Sequence, residues 1–180
     1  MNSQQLLEKL LQITIWLPIN NYPNYEVSIC GTVRNVNTKR VLRPRIVGID
    51  GNGYYAVNLC KNGNSNQYKV HRLVAIHFIP NINNAKYVDH IDNNSFNNTV
   101  SNLRWCTQQQ NNFNRSLSNR NTSGFKGISL YKNLNKWEVK ITINYKKIHL
   151  GYFVNLEDAK LARQKKAKEL FCDFLNECEK

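Results

Sequence analysis

Short strand-like runs bounded by Asn- and Gly-rich turns predict one small antiparallel sheet in the first half of this chain. The β-rich runs are YEVSICGTVRN, YYAVNLCKN and QYKVHRLV, and the turn-forming segments around them are NNYPN, GIDGNG and NGNSN. At 180 residues and 41% hydrophobic content, the chain fits several small modules better than one large core. We therefore expect an α+β protein whose first module is an antiparallel β module over residues 15–65.

Two short helices are expected in the same half. Residues 5–13, QLLEKLLQI, have apolar side chains at helical spacing and predict an N-terminal helix within residues 1–14. HRLVAIHFI, residues 71–79, predicts a helix that ends before Pro80, because proline cannot continue it. We expect His71 and His77 on this helix to be packed or hydrogen-bonded rather than catalytic.

The last third, residues 123–180, predicts a three-stranded antiparallel sheet covered by one helix. Its strand-like runs are GFKGISLY, KWEVKITI and KKIHLGYF, and the middle run alternates apolar and polar side chains. Asn155 and Asp158 are typical of a helix start and predict a helix over 156–176. The apolar strand positions that this helix would cover are Trp137, Val139, Ile141 and Ile143.

Between these modules, residues 86–90 (KYVDH) and 103–107 (LRWCT) predict two strands joined by the loop DNNSFNNTVSN. Thr107 and Gln110 form a capping-box pattern that predicts a helix from QQQNNFN. A unit this small needs support from its neighbours and from a bound metal. The loop residues Asp92, Asn93, Asn94, Asn97 and Asn98 are expected to shape the loop rather than bind ligands.

The chemistry expected of this middle segment is metal-assisted hydrolysis. Asp89 and Asn111 can supply two oxygen ligands to a hard cation such as Mg²⁺, which keeps waters and takes substrate phosphate. His90 beside them has a side chain whose ordinary pKa suits removal of a proton from water near neutral pH. These residue types therefore predict a hydrolytic site for a phosphate ester.

The formal net charge of +13 predicts a polyanionic partner. Residues 115–147 carry eight Lys or Arg and one Glu, whereas residues 148–180 carry six of each sign, so the positive field belongs to the strands and the segment before them. No apolar run is long enough to span a membrane, and we therefore expect nucleic acid rather than lipid. The candidate DNA-binding residues are Lys39, Arg40, Arg43, Arg45, Arg104, Arg115, Arg120, Lys126, Lys136, Lys140 and Lys147.

The five cysteines form no CxxC pair, which argues against a disulfide framework or a structural zinc site. The N-terminal residues lack a basic region followed by a long apolar run, so no secretion signal is expected. Reduced thiols and an intracellular location, in cytoplasm or nucleus, are the expectation.

The order DHID, NN, NLRWCT, NN resembles the HNH nucleases, in the homing-endonuclease branch whose final His is replaced by Asn. The resemblance covers residues 66–114, with twelve residues from His90 to Asn102 and nine more to Asn111. It implies a ββα-metal motif with His90 as the general base and Asp89 and Asn111 as metal ligands. It also implies that Asn102 is the central Asn that orients His90.

Both flanking segments have resemblances of their own. WLPINNYPNYEVSICGTVRNV, residues 16–36, resembles the NUMOD4 type of module that often precedes HNH domains in phage and viral homing endonucleases. Residues 123–180 are similar to an AP2 domain, which implies a three-stranded sheet that enters the DNA major groove, backed by a helix. Residues 115–122 then form a linker.

Together these features predict a DNA endonuclease of the HNH homing type that uses Mg²⁺, or another divalent cation such as Mn²⁺, on double-stranded DNA. One site per chain suits nicking by a monomer, and either a dimer or a second binding event is needed to cut both strands. Two alternatives stay open at this point. One is a sequence-specific DNA-binding regulator with a catalytically silent HNH scaffold, and the other is a protein that acts on RNA.

Overall fold

The computed structural model describes residues 14–48, 53–118, 120–176 and 179. These residues form two compact units that divide between Trp105 and Cys106, and each unit is described by itself. Several small antiparallel sheets and three helices confirm the α+β class. The helix predicted within residues 1–14 lies outside the described residues.

The β-rich start of the first unit forms two three-stranded sheets rather than the one sheet expected. Beyond the first three strands, the first sheet gains only a single bridge, which joins Arg34 of β3 to Val41. Pro44 then interrupts strand pairing because it has no N–H to donate. The chain therefore begins a second sheet at Arg45. The strands are β1 Trp16–Ile19, β2 Tyr22–Ser28 and β3 Val33–Asn35 in the first sheet, and β4 Arg45–Val47, β5 Tyr54–Lys61 and β6 Asn64–Lys69 in the second.

Helix α1, Val70–Phe78, starts where β6 ends and packs between the two sheets. Its end before Pro80 confirms the prediction. The side chain of His77 links the helix to the first sheet, since its Nε2 accepts a hydrogen bond from the backbone N–H of Asn20 at 2.9 Å. The core of this unit comprises Ile19, Tyr22, Val27, Val33, Val57, Leu59, Val70, Leu73, Val74 and Leu103.

The middle segment forms the predicted strand pair. Strand β7, Tyr87–His90, pairs with β8, Leu103–Cys106, and a 3-10 turn at Val100–Asn102 ends the intervening loop. The indole N–H of Trp105 donates to the carbonyl of Ile79 at 2.9 Å, which ties β8 to the end of α1. The pair therefore rests on the core of the first unit.

The second unit contains helix α2, Gln108–Phe113, a sheet and helix α3, Leu156–Phe171. The sheet has the order β11-β10-β9, with β9 Ile128–Tyr131, β10 Lys136–Ile143 and β11 Lys146–Phe153. Val139 and Ile141 are buried under α3, as the alternating pattern predicts. No helix in the described part of the chain is long and apolar enough to cross a membrane.

Two details of helix α3 differ from expectation. The helix ends at Phe171 rather than at residue 176, because Cys172 takes a left-handed φ of 45° and a 3-10 turn follows. Asn155 occupies the N-cap position, yet its side chain accepts no backbone hydrogen bond and instead donates to the Asp158 carboxylate at 3.4 Å. The predicted side-chain cap is therefore wrong, although the helix starts where expected.

The turn before β9 depends on a glycine at position 127. Gly127 has φ of 64°, and a Cβ added there would lie 2.2 Å from the backbone oxygen of Lys140. We expect Gly127→Ala to lower the free energy of unfolding by about 1–2 kcal/mol for the backbone conformation and about 1–3 kcal/mol more for the clash. Urea unfolding measures this.

Gly124→Ala is the matched control, because Gly124 has a similar φ of 78° with no atom within 4 Å of an added Cβ. Equal losses of stability in the two variants would contradict the role of the Lys140 contact.

Candidate active site

A loop closed by side-chain amides follows His90. Asn102 accepts the backbone N–H of Asp92 through Oδ1 at 3.0 Å, and its Nδ2 donates to Asp92 Oδ1 and to the carbonyl of Asn97, both at 2.8 Å. Its backbone oxygen accepts the N–H of Ile91 at 2.9 Å. Asn102 therefore fixes the backbone directly after His90, which is where a residue that orients His90 is expected to act.

Asp92 is the acceptor at the centre of this loop. It receives hydrogen bonds from the Asn94 backbone, the Asn97 amide and the Asn102 amide at 2.7 to 2.8 Å. Partial burial opposes ionisation, but these donors outweigh it and hold the pKa of Asp92 below its ordinary value. The Asn-rich loop is thus an ordered scaffold, which agrees with its predicted loop-forming role.

His90 lies at the end of β7 with 7% of its surface exposed. Its Nε2 is 3.1 Å from Oδ1 of Asn98, and the ring of His71 meets it edge-on with 5.1 Å between centroids. Burial lowers the pKa of His90, although Asn98, Asp92 and Asp89 oppose the shift. A lowered pKa keeps the imidazole neutral, and so able to accept a proton, at neutral pH.

Asp89 forms an ion pair with Arg104. Its Oδ2 accepts from Nε at 2.9 Å and lies 2.8 Å from Nη2, with both side chains largely buried. This pair fixes the carboxylate next to His90. Arg104 was expected to contact DNA phosphate, and the structure instead places its guanidinium on Asp89.

Asn111 belongs to the second unit, in α2. Thr107 and Gln110 form both bonds of the predicted capping box at the start of that helix. The helix is held within its unit by the stacked rings of Phe113 and Phe171, 3.8 Å between centroids, and by a bond from the Asn144 N–H to Gln109 Oε1 at 2.8 Å. The structure thus brings Asp89, His90 and Asn102 together in one unit and places Asn111 in the other.

Of the eleven basic residues predicted to bind DNA, nine have exposed side chains, and Arg104 and Lys126 do not. Those whose side chains are exposed are Lys39, Arg40, Arg43, Arg45, Arg115, Arg120, Lys136, Lys140 and Lys147. Within this set Lys39 pairs with Glu26 at 3.2 Å and Lys140 pairs with Glu138 at 2.7 Å. Arg40, Arg43 and Arg45 line one open groove of the first unit.

Lys126 requires a correction. Its ammonium donates to the carbonyl of Phe113 at 3.0 Å and lies 3.2 Å from Oε2 of Glu179, and only 15% of its side chain is exposed. The positive charge of residues 115–147 predicted a surface lysine here, because the sequence does not reveal that Glu179 lies beside it. Lys126 therefore stabilises the second unit and is removed from the DNA-binding set.

Three residues around His90 were not predicted as part of the site. Asn98 contacts the imidazole, and the rings of His71 and Tyr54 pack beside it, with Tyr54 at 6.1 Å. His71 is 5% exposed, in agreement with its predicted packing. No sequence pattern marks these residues, because their contact with His90 arises only when β5, α1 and the loop meet. Among the described residues no group of three His, Cys, Asp or Glu side chains is arranged to hold a metal ion.

Two family models and a relative of known name match this chain. The HNH endonuclease family model matches residues 68–113, and the NUMOD4 motif matches residues 15–60. DNA endonuclease I-HmuI of Bacillus phage SP01 is 38% identical over 120 residues, which covers 66% of this chain and 67% of that protein. The chain belongs to the HNH endonuclease family, and the predicted resemblances to HNH and NUMOD4 are confirmed.

Other relatives carry related names. An uncharacterized HNH endonuclease of Acanthamoeba polyphaga mimivirus is 43% identical over 95 residues, 53% of this chain and 28% of that protein. A putative HNH homing endonuclease from an SPbeta prophage of Bacillus subtilis is 41% identical over 76 residues, 41% of this chain and 43% of that protein. The chain therefore spans less than half the length of these two relatives. A solved structure entitled "DNA binding and cleavage by the HNH homing endonuclease I-HmuI" has a TM-score of 0.49 and 39% identity over 54% of this chain and 55% of that one.

The buried His71 makes the stability of the first unit depend on pH. Desolvation lowers its pKa to about 3, so between that value and 6.5 the unfolded chain binds a proton that the folded chain does not. The contribution of His71 to the free energy of unfolding is therefore fully present above pH 6.5 and is lost as the pH falls toward 3. We expect urea unfolding to show about 2 kcal/mol less stability from this group at pH 5 than at pH 7.

His71→Gln removes the ionisable ring and should make this pH dependence less steep, with the part due to the lowered pKa of His90 remaining. Ile76→Gln changes an exposed side chain of the same helix, and should leave the slope as in the wild type. A His71→Gln protein with the wild-type slope would show that His71 is not the group responsible.

Proposed function

We propose that this chain is a metal-dependent homing-type endonuclease that hydrolyses a phosphodiester bond in double-stranded DNA. The observation that carries the proposal is His90, a buried imidazole with a lowered pKa, placed at a strand end beside the ionised pair of Asp89 and Arg104. Similarity to a DNA endonuclease and to a putative HNH homing endonuclease supports it.

Asp89 and Asn111 are proposed to hold the metal ion. Carboxylate and amide oxygens are hard ligands that suit Mg²⁺ or Mn²⁺. The ion pair with Arg104 supports the proposal for Asp89, because a ligand carboxylate needs a fixed orientation. When bound, the metal supplies charge stabilisation to the scissile phosphate and the leaving oxygen.

The residues of the chain perform the proton transfer. His90 is proposed to take a proton from water, whose oxygen then attacks phosphorus in line with the leaving 3′ oxygen, giving a 5′-phosphate and a 3′-hydroxyl. Asn102 is proposed to maintain the geometry by holding the backbone at Ile91 and Asp92, which its hydrogen bonds support. With one such site per chain, we propose that a monomer nicks one strand.

The second unit is proposed to read DNA in the manner of an AP2 domain. A three-stranded antiparallel sheet with a helix on one face supports this, as do exposed lysines such as Lys136 and Lys147. Lys39, Arg40, Arg43 and Arg45 of the first unit and Arg115 and Arg120 of the second are proposed as further phosphate contacts. Glu138 lies on the same sheet and is 9% exposed. Because it pairs with Lys140, it offsets part of the positive charge of the sheet.

Plasmid cleavage tests the enzymatic proposal. We expect nicked circles from supercoiled DNA containing the target, in the presence of Mg²⁺ or Mn²⁺ but not EDTA. His90→Ala should reduce the rate by at least about 100-fold, since general base catalysis contributes 10²–10⁴-fold, while DNA binding stays at the wild-type level.

Tight binding without cleavage under every divalent ion would overturn the enzyme proposal in favour of a DNA-binding regulator. Stronger binding to RNA than to DNA of the same sequence would overturn the substrate.

Charge removal on the sheet tests the DNA-binding proposal. Lys136→Gln with Lys147→Gln should weaken DNA binding and reduce the slope of log K against log salt by about 2, one for each lost phosphate contact. Lys166→Gln with Lys160→Gln is the matched control, because these lysines lie on α3 and pair with Glu169 and Glu157. Equal effects of the two double variants would indicate that only net charge matters.

A further inference from the structure

The contact between His90 and Asn98 has a defined chemical direction. Nε2 of His90 lies 3.1 Å from Oδ1 of Asn98, and both side chains are more than nine-tenths buried. The amide nitrogen of Asn98 donates to the carbonyl oxygen of Phe96 at 3.3 Å. Since that carbonyl can only accept, the amide nitrogen faces Phe96 and the amide oxygen faces the imidazole.

An amide oxygen facing the ring selects one tautomer. Oδ1 accepts and does not donate, so Nε2 of a neutral His90 must carry the proton. The lone pair that can accept a proton is then on Nδ1. Asn98 therefore contacts Nε2, whereas the nitrogen that accepts the proton is Nδ1.

The position of Asn98 is itself set by a turn of the NUMOD4-matched segment. Gly31 has φ of 81°, and a Cβ added there would lie 2.7 Å from Cβ of Asn98 and 3.2 Å from its backbone oxygen. The same turn forms a backbone bond from the Val100 N–H to the carbonyl of Ile29 at 2.9 Å. The backbone of the turn therefore packs directly against Asn98.

The rings of His71 and Tyr54 add a second support. They meet the His90 ring at centroid distances of 5.1 and 6.1 Å and contact each other at 4.9 Å. Rotation of the imidazole away from Asn98 would have to displace the buried ring of His71 and the half-buried ring of Tyr54. The packed rings therefore restrict the plane of the His90 ring, and the Gly31 turn separately restricts Asn98, its hydrogen-bond partner.

We propose that Asn98 is a positioning residue that holds His90 in the tautomer with the proton on Nε2, and that the turn containing Gly31 keeps Asn98 in place. This deepens the proposed function and rests on His90 being the general base. Without the acceptor, the neutral ring divides between its two tautomers, and molecules with the proton on Nδ1 cannot accept one there. Through this contact the segment matched by NUMOD4 contributes to catalysis as well as to the fold.

Nitrogen-15 NMR of the histidine side chains tests the tautomer directly. The full chain contains four histidines, so the His90 signals can be assigned by their loss in His90→Gln. At a pH where the ring is neutral, we expect the wild-type spectrum to show the proton on Nε2. A wild-type spectrum with the proton on Nδ1 would overturn the proposal whatever the variants do.

Asn98→Leu removes the acceptor with little change in size. We expect it to populate the tautomer protonated on Nδ1 and to reduce the cleavage rate about 10- to 100-fold, the range found for residues that orient a functional group, with unchanged DNA affinity. Asn98→Asp keeps an acceptor and should retain the wild-type tautomer. Asn83→Leu, the same change at an exposed position, should retain both tautomer and rate.

A folded Asn98→Leu protein with the wild-type tautomer would overturn the proposal. Failure of the proposed function gives a different result, because His90→Ala would then cleave DNA at the wild-type rate while the NMR result for Asn98 stood unchanged.

Discussion

The side-chain amide of Asn102 is the contact on which the site depends. Its oxygen and nitrogen together bind the backbone of Asp92, the carboxylate of Asp92 and the carbonyl of Asn97. A loop of polar residues cannot be held by apolar burial, so its order has to come from hydrogen bonds of this kind. His90 immediately precedes this locked loop, and the Asn-rich composition around it is therefore a structural requirement of the site.

The two buried histidines of the first unit, His71 and His90, differ in the groups that surround them. His71 is buried so deeply that its pKa falls to about 3, and a neutral neighbour adds no positive charge beside His90. His90 is also shifted downward by burial, but Asp89, Asp92 and Asn98 moderate the shift. The two rings differ because the charged side chains near His71, Lys69 and Arg72, are basic and add to the effect of burial, whereas those near His90 are acidic and oppose it.

The sequence predicted those elements whose cause is local. The strand pair around the DHID segment, the capping box of Thr107 and Gln110, and the alternation in β10 depend on neighbouring residues. They are confirmed, except that Glu138 on the polar face of β10 is buried. The failures depend on distant contacts. In the sequence, Lys126 is an ordinary surface lysine, and only the fold places Glu179 beside it. Asn98 likewise resembles every other loop Asn in the sequence, and only the fold packs the turn at Gly31 against it. The spacing predicts roles for His90 and Asn102, whereas the contacts of these side chains depend on packing.

The boundary between the two compact units bears on how the nuclease motif is maintained. The family match ends at residue 113, yet helix α2 belongs by its contacts to the second unit. A helix of six residues is too short to be stable alone, so it needs the Phe113–Phe171 stack and the bonds from Asn144 and Asn176 that hold it. The position of Asn111 in α2 therefore depends on the fold of the C-terminal sheet and helix. Helix α2, the last element of the matched segment, is therefore stabilised by contacts with the C-terminal sheet and helix rather than by its own length.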